Sequence, residues 1–435
     1  MRPVVAIVGR PNVGKSTLFN RLLGYRKAVV EDVPGVTRDL NFADVEVGGR
    51  SFTLVDTGGF EPSSEEGVTA QVARQCRLAI EEADVILFLL DVLDGPTPVD
   101  REIADLLRRT GKKVLFVVNK VDGPRQGQGV FDFYELGGEE LYPISALHKR
   151  GLEELLDALL ELLPEGPEEE QVQEGVRVAI VGRPNVGKSS LMNRILGYER
   201  AIVDEAPGTT RDAIDTAFSV DGKRYILIDT AGMRRKSRIG LQLERYCVWE
   251  AIRSIERSDV SLLLIDAQEG PTDQDSRIGG LIQRRGKGCI LVVNKWDLAE
   301  GRVRRRDYKR ALRERLHFLE HAPVLFTSAK TGQGVKEVLE AVDLVAAEAK
   351  KRVPTGRLNR WFRQLMATHQ PPLWRNRPVK LYYITQVSVA PPTFVVFANY
   401  PEGVNQNFQR FLVRKLREEF GFRGNPIRLL LRKRD

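Results

Sequence analysis

Cysteine is scarce: the 435-residue chain carries three, Cys76, Cys247 and Cys289, far apart and at neither metal-ligand nor disulfide spacing. They read as small buried hydrophobes, and a cytoplasmic location is expected. Long apolar runs are also missing. The best, residues 85–90, has the length of a buried strand, far short of the ~20 residues that span a bilayer. The opening MRPVVAIVGR runs straight into a strand pattern, so no secretory leader is expected. Acidic residues are nearly absent from the C-terminal part, where residues 351–435 hold 17 Lys+Arg against 4 Asp+Glu. The whole chain has a net charge of +8, so everything before residue 351 is mildly acidic. A basic tail behind an acidic body points to a polyanionic partner, and nucleic acid is the expected one.

Repetition is what the chain has in plenty. GRPNVGKST from Gly9 returns as GRPNVGKSS from Gly182, PGVTRD (34–39) as PGTTRD (207–212), and DTGG (56–59) as DTAG (229–232). NKVD (119–122) returns as NKWD (294–297), and ISA (144–146) as TSA (327–329), at slightly larger offsets. The second copy therefore has small insertions, one around the basic segment 302–315. This is a duplicated domain rather than a short-period solenoid. In each copy continuous apolar runs such as VVAIVG (4–9) and VLFVVNK (114–120) alternate with amphipathic segments. The expected fold is α/β, with a mostly parallel sheet covered by helices on both faces. The boundaries read as a first domain at 1–164, an acidic linker at 165–175, a second domain at 176–352 and a non-repeating domain at 353–435. That last segment reads helix, two strands, helix, strand, a small α+β sandwich with an antiparallel component.

In both copies Gly-x-x-x-x-Gly-Lys-Ser follows a strand and opens a helix, the context of a phosphate-binding loop. Gly14 and Gly187 let the backbone curl so that N–H groups converge on phosphates at a helix N-terminus. Lys15 and Lys188 reach the β and γ phosphates, while Ser16 and Ser189 offer a hydroxyl to Mg²⁺. Gly9, Arg10, Pro11, Asn12, Val13 and Thr17 complete the first cradle. Gly182, Arg183, Pro184, Asn185, Val186 and Ser190 complete the second. Asp56 and Asp229 end the next strand, a place suited to holding Mg²⁺ through water. Thr57, Gly58 and Gly59, and Thr230, Ala231 and Gly232, follow; Gly59 and Gly232 put an N–H against the γ-phosphate. Thr37 and Thr210 offer a hydroxyl to Mg²⁺ and an N–H to the γ-phosphate, so they order in the triphosphate state. The repeat alignment prefers Thr210 to Thr209, because Val36 fills the matching slot in the first copy.

The base is read by Asn119-Lys120-Val121-Asp122 and Asn294-Lys295-Trp296-Asp297. A carboxylate accepts both N1–H and N2–H of guanine, whereas adenine presents an acceptor at N1 and is repelled. Ser145 and Ala146, and Ser328, Ala329 and Lys330, follow a further strand and can meet guanine O6. Five elements in order, twice over, specify two guanine-nucleotide sites for GTP or GDP with Mg²⁺.

On these motifs the chain resembles the bacterial double-GTPase family called Der or EngA, over essentially its whole length. The tandem order, the RPNVGKS form of both loops and the basic C-terminal part carry the resemblance. It implies two G domains and a KH-like domain, GTP hydrolysis, and a role in maturation of the large ribosomal subunit through rRNA contact that depends on nucleotide. A monomer is expected, with no DNA sequence recognition. A tRNA-modification GTPase is disfavoured by the second G domain and the lack of a terminal cysteine.

The residue after DxxG, where a glutamine often orients the attacking water, is Phe60 in one copy and Met233 in the other. Neither can hydrogen-bond water, so slow turnover is expected and catalysis must lean on Thr37 and Thr210 or on a cation. The resemblance implies K⁺ beside the phosphates, with Asn12 and Asn185 as ligands; the alternative is that these side chains brace their loops. A GTP sensor with negligible turnover is the rival reading. MRRKSR (233–238) after the second DTAG stands where the first copy has acidic PSSEEG (62–67), so the two switches are expected to meet different partners. In the last domain RLNRWFRQL and LWRNRPVKLYY interleave aromatics with cations, with Trp361 and Phe362 expected in the core. The GxxG of that domain, Gly421 to Gly424, lies between the final helix and strand rather than between two helices. Ordinary single-strand clamping is therefore disfavoured and the basic surface is the better RNA candidate.

Overall fold

A computed structural model describes residues 3–24, 42–56, 83–164, 175–198, 201–203, 215–228, 246–371 and 373–434. The chain divides into two compact units, the first ending at Val172 and the second spanning Gln173–Asp435.

The first unit is built from β1 (Val4–Val8), α1 (Lys15–Leu23), β2 (Phe42–Val47), β3 (Arg50–Asp56), β4 (Val85–Asp91), α2 (Pro98–Arg108), β5 (Lys113–Asn119), α3 (Pro124–Gly129), β6 (Leu141–Pro143) and α4 (Leu152–Leu162). Its sheet runs β2-β3-β1-β4-β5-β6, parallel throughout except that β2 is antiparallel to β3. Every residue of β4 is buried, as a central parallel strand with both faces covered requires. Leu152, Leu155, Leu156 and Leu159 recur at helical spacing along α4 and fill the core under the sheet.

The second unit repeats the plan with β7 (Val176–Gly182), α5 (Lys188–Leu196), β8 (Ala201–Val203), β9 (Thr216–Val220), β10 (Lys223–Leu227), α6 (Tyr246–Arg257), β11 (Val260–Asp266), α7 (Asp273–Arg285), β12 (Gly288–Asn294), α8 (Arg305–Arg315), β13 (Val324–Phe326) and α9 (Val335–Ala349). Its sheet order is β13-β12-β11-β7-β10-β9-β8. In both sheets the register sets an aspartate beside the asparagine of NKxD at the carboxyl ends of paired strands, Asp91 opposite Asn119 and Asp266 opposite Asn294. Open parallel sheets bind ligands at that edge.

The same unit ends in α10 (Thr355–Thr368), β14 (Leu381–Ser388), β15 (Thr393–Ala398), α11 (Gln406–Phe420) and β16 (Arg428–Lys433). This is the α-β-β-α-β order read from the sequence. β15 lies between an antiparallel β14 and a parallel β16. Leu358, Phe362 and Leu365 of α10 and Leu412, Leu416 and Phe420 of α11 bury against Ile384, Phe394 and Val396. Phe362 is thus core as expected, and Trp361 packs edge-on against Phe420 at 5.3 Å.

The GxxG loop is occupied by the neighbouring nucleotide domain. Cys289 N–H donates to Gly424 O (2.8 Å), Gly424 N–H to His321 O (2.9 Å), and Asn425 Nδ2 to Val345 O (2.8 Å). Phe422 N–H donates to the Glu348 carboxylate at 2.5 Å, and Arg428 to Arg284 O at 2.7 Å. Gly424 adopts φ +77°, and a Cβ there would strike Val345. A loop pinned at these points packs against the nucleotide domain instead of standing free to clamp a nucleotide strand.

Candidate functional site

Gly14 and Gly187 each hold φ 97° as the N-cap of the following helix, a left-handed conformation that favours glycine. The turn aims the free N–H groups of α1 and α5 outward from their N-termini, which makes an anion cradle. Lys15 Nζ donates to Gly9 O (2.8 Å) and Arg10 O (2.6 Å), and Lys188 Nζ to Gly182 O and Arg183 O (both 2.8 Å). Both ammonium groups are thereby held over the loop crown. Asn12 and Asn185 also sit at positive φ, 65° and 62°, a conformation that asparagine tolerates better than most residues. Among the described residues neither side chain makes a hydrogen bond.

Ser16 Oγ donates to Asp56 Oδ2 at 2.7 Å, bringing a hydroxyl and a carboxylate together beside the cradle. Two hard oxygen donors next to a phosphate site fit Mg²⁺, which keeps waters and phosphate oxygens as its other ligands. Among the described residues no group of three His, Cys, Asp or Glu could hold a metal ion by itself. Ser189 opens α5 in the equivalent place.

The guanine loop is tied to the phosphate loop by one side chain in each copy. Asn119 Nδ2 donates to Val13 O (2.8 Å), and its Oδ1 accepts from Ala146 N–H (3.0 Å). Asn294 does the same with Val186 O (2.8 Å) and Ala329 N–H (3.1 Å), and also accepts from Thr327 Oγ1 (3.3 Å). A Cβ on Gly14 or Gly187 would collide with the asparagine Nδ2, so glycine is required there for close approach as well as for φ. Asp122, exposed at the rim, accepts from the buried Ser145 Oγ at 2.6 Å, which fixes the orientation of the carboxylate. The ring of Trp296, the variable residue of the second NKxD element, is buried with Tyr308 and Phe326 and packs the wall of the loop.

Several partners of these loop residues escaped the sequence reading. Arg183 bridges Asp275 (3.1 Å) and Glu269 (2.7 Å), and Arg10 bridges Asp94 (2.6 Å) and Asp100 (3.5 Å). Asp100 and Asp275 are buried members of capping boxes with Thr97 and Thr272 at the starts of α2 and α7. Burial raises the Asp275 carboxyl above its ordinary range, against the Thr272 N–H and the Arg183 charge, which favour the ionised form. The signal was the recurrence of DGPTPVD (94–100) as EGPTDQD (269–275) with the Thr-x-x-Asp spacing of a helix start. Lys120 and Lys295, both at positive φ, reach back to Asp91 (2.5 Å) and Asp266 (2.6 Å). Arg21 of α1 and Arg194 of α5 donate to Ala146 O and Ala329 O, each at 3.0 Å. Thr37, Thr57, Gly58, Gly59, Phe60, Thr210, Asp229, Thr230, Ala231, Gly232 and Met233 lie outside the described residues, as do the acidic and basic segments that follow them. No helix among the described residues is long and apolar enough to cross a membrane.

Comparison with known proteins agrees with this duplicated geometry. A family model described as "50S ribosome-binding GTPase" matches residues 4–120 and again 177–295. A second, described as the C-terminal KH-domain-like region of EngA bacterial GTPase enzymes, matches 352–432. Among curated relatives, GTPase Der of Geobacter sp. (strain M21) is 50% identical over 436 residues, covering 100% of this chain and 99% of its own. GTPase Der of Caldanaerobacter subterraneus subsp. tengcongensis is 52% identical over 435 residues with the same coverage. With two nucleotide sites built alike and full-length identity to these proteins, the chain belongs to the GTPase Der family of GTP hydrolases, with tandem GTPase domains and a KH-like C-terminal domain.

Proposed function

We propose that the chain is a GTP-driven switch in cytoplasmic ribosome biogenesis, acting as a monomer on the large subunit and its rRNA. The observation that carries this reading is the basic C-terminal domain locked onto the second nucleotide domain through residues 421–425. An RNA-attracting surface and a guanine-nucleotide site then share one body, so a change at one is felt at the other. Functional boundaries at 1–164, 176–352 and 353–435, with the acidic linker 165–175 between the first two, suit that division of labour.

In each site the loop backbone and Lys15 or Lys188 hold the phosphates, and Asp122 or Asp297 selects guanine. Gly59 and Gly232 give their N–H to the γ-phosphate. Ser16, Thr37 and Asp56, and Ser189, Thr210 and Asp229, would hold Mg²⁺, which supplies charge neutralisation on the phosphate oxygens when bound. Thr37 and Thr210 position water by their backbones, because Phe60 and Met233 cannot, and turnover is slow in consequence. Asn12 and Asn185, left without side-chain partners among the described residues, would hold K⁺ beside the phosphates.

Sedimentation with large ribosomal subunits tests the switch: binding with a non-hydrolysable GTP analogue and release with GDP are expected. Equal binding in both states, or none, overturns it. In the same preparation, equal turnover in KCl and NaCl at matched ionic strength removes the role given to Asn12 and Asn185.

A further inference from the structure

The two nucleotide domains part company in the segment between NKxD and the next strand. In the first domain this segment carries Asp132, Glu135, Glu139 and Glu140 against Arg125, and is acidic. In the second it forms α8 and its approach, where Arg302, Arg304, Arg305, Arg306, Lys309 and Arg310 are all exposed. Duplication makes the first domain an internal control: one fold position, two opposite charges.

Local neutralisation is slight. Arg305 meets Glu300 at 3.6 Å and Arg310 meets Asp307 at 3.7 Å, both pairs exposed and readily screened. Among the described residues Arg302, Arg304 and Arg306 make no ion pair. Arginines also occupy the N-cap and first two positions of α8, where no side chain caps the helix and only Asp307 is acidic. That end of a helix prefers Ser, Thr, Asp or Asn and repels cations, so the arrangement works against the helix itself. A local rule broken without local compensation marks a site selected for something else.

The helix stands on a firm base. Tyr308 and Leu312 bury its inner face, Tyr308 Oη donates to Asp266 O at 3.1 Å, and Tyr308 packs edge-on to Trp296 at 5.7 Å. Arg305 and Lys309 lie over the Phe326 ring at 5.4 and 5.7 Å, which restricts their rotamers. Arg306 and Arg310, one turn apart, share the outer face. Five of the six exposed cations are guanidinium groups, whose planar fork suits phosphate oxygens better than an ammonium does. Among the described residues, Leu298 and Val303 are the exposed large hydrophobics of this segment, too little for the apolar centre of a protein–protein interface.

We propose that the outer face of α8 and its approach form an RNA-docking surface on the second nucleotide domain, gripping the phosphate backbone of an RNA duplex. It is separate from the basic C-terminal surface. The inference rests on the RNA reading above and adds to it a second, sequence-independent contact beside the guanine end of the site.

The test uses the full chain and the triple variant Arg304→Gln/Arg306→Gln/Arg310→Gln. A charge-matched control, Arg101→Gln/Arg109→Gln/Lys336→Gln, removes exposed cations elsewhere. Each is titrated with a short RNA duplex and with isolated large ribosomal subunits across a salt series. Labelled-GDP binding and thermal melting verify that the variants are folded. The α8 variant is expected to bind duplex roughly tenfold or more weakly, with a log–log salt slope shallower by up to about 2.7, since each of the three phosphate contacts removed carries ~0.9 of that slope. The control should move less than about twofold. If the α8 variant tracks the control, or the unmodified chain binds no duplex, the inference is overturned. Abolished binding to subunits with unchanged binding to duplex overturns it in favour of an acidic protein partner. Binding of the unmodified chain to duplex but not to subunits sinks the ribosomal reading, while the α8 comparison on duplex still decides the inference.

Discussion

Gly14 and Asn119 form a pair whose coupling can be measured. Asn119→Ala removes the bonds to Val13 O (2.8 Å) and Ala146 N–H (3.0 Å), leaving two buried backbone groups unpaired. At ~1–2 kcal/mol for each such group, the first site should lose about 2–4 kcal/mol. Gly14→Ala meets two separate obstacles. A side chain at φ 97° costs ~1–2 kcal/mol, and the new Cβ displaces Asn119 and forfeits the same two bonds. The single glycine variant should therefore lose about 3–6 kcal/mol. In the double variant the collision has vanished and the bonds are counted once, so the loss stays near ~3–6 kcal/mol rather than summing. A labelled-GDP titration in a Lys188→Ala background reads the first site alone, with every ~1.4 kcal/mol appearing as a tenfold change in Kd. Additivity of the two single effects within ~0.5 kcal/mol would refute the claim that Gly14 is required because Asn119 sits against it. The equivalent cycle at Gly187 and Asn294 should behave alike, since the same bonds and the same close approach are present.

Two further outcomes are expected. Asp122→Asn places an amide donor against N1–H and N2–H of guanine, and charged hydrogen bonds are worth ~1.5–3 kcal/mol each, so GDP affinity should fall at least about tenfold while xanthosine diphosphate, with an acceptor at that edge, gains; unchanged GDP affinity removes Asp122 from the base. At the junction with the C-terminal domain, burial and then the Arg417 and Arg313 charges hold the His321 imidazole well below its ordinary pKa, and its Nε2 is sealed off without a partner. The folded chain keeps it neutral while the unfolded chain takes up a proton below about pH 6.5, so its stabilising share is complete above that pH. As pH falls the share is lost at ~1.4 kcal/mol per unit. Denaturant unfolding of the second unit between neutral and mildly acidic pH reads this, and His321→Leu should flatten the slope; an equal slope in the variant excludes His321 as its source.

What was legible in the sequence follows from the range of the interactions concerned. The phosphate loops, the NKxD elements and the parallel sheets depend on short runs whose residue types are dictated locally. A buried strand such as 85–91 must be apolar almost throughout, and a loop turning at φ 97° must offer glycine. The ties between Arg10 and Asp100, or Arg183 and Asp275, span about ninety residues and use types that are common on any surface. Their repetition was visible, but nothing in DGPTPVD or EGPTDQD declares a tie to the phosphate loop. The packing of Trp296 was hidden for a related reason. Its ring faces Tyr308 and Phe326, which only the fold brings near. The docking of Gly424 was equally hidden, since Cys289, His321 and Val345 come from separate parts of the second nucleotide domain.

That docking has a consequence for anyone who would cut or recombine this chain. The hydrogen bond from Cys289 to Gly424, and that from Asn425 to Val345, make the C-terminal domain a cork in the base of the second nucleotide domain. Severing at residue 352 would uncork Val345, leave the Glu348 carboxylate without Phe422 N–H, and open the ring of His321 to water. A truncated second domain should consequently be sticky and poorly soluble, and its failures would say little about RNA. Chimaeras between relatives should move residues 176–435 as one cassette.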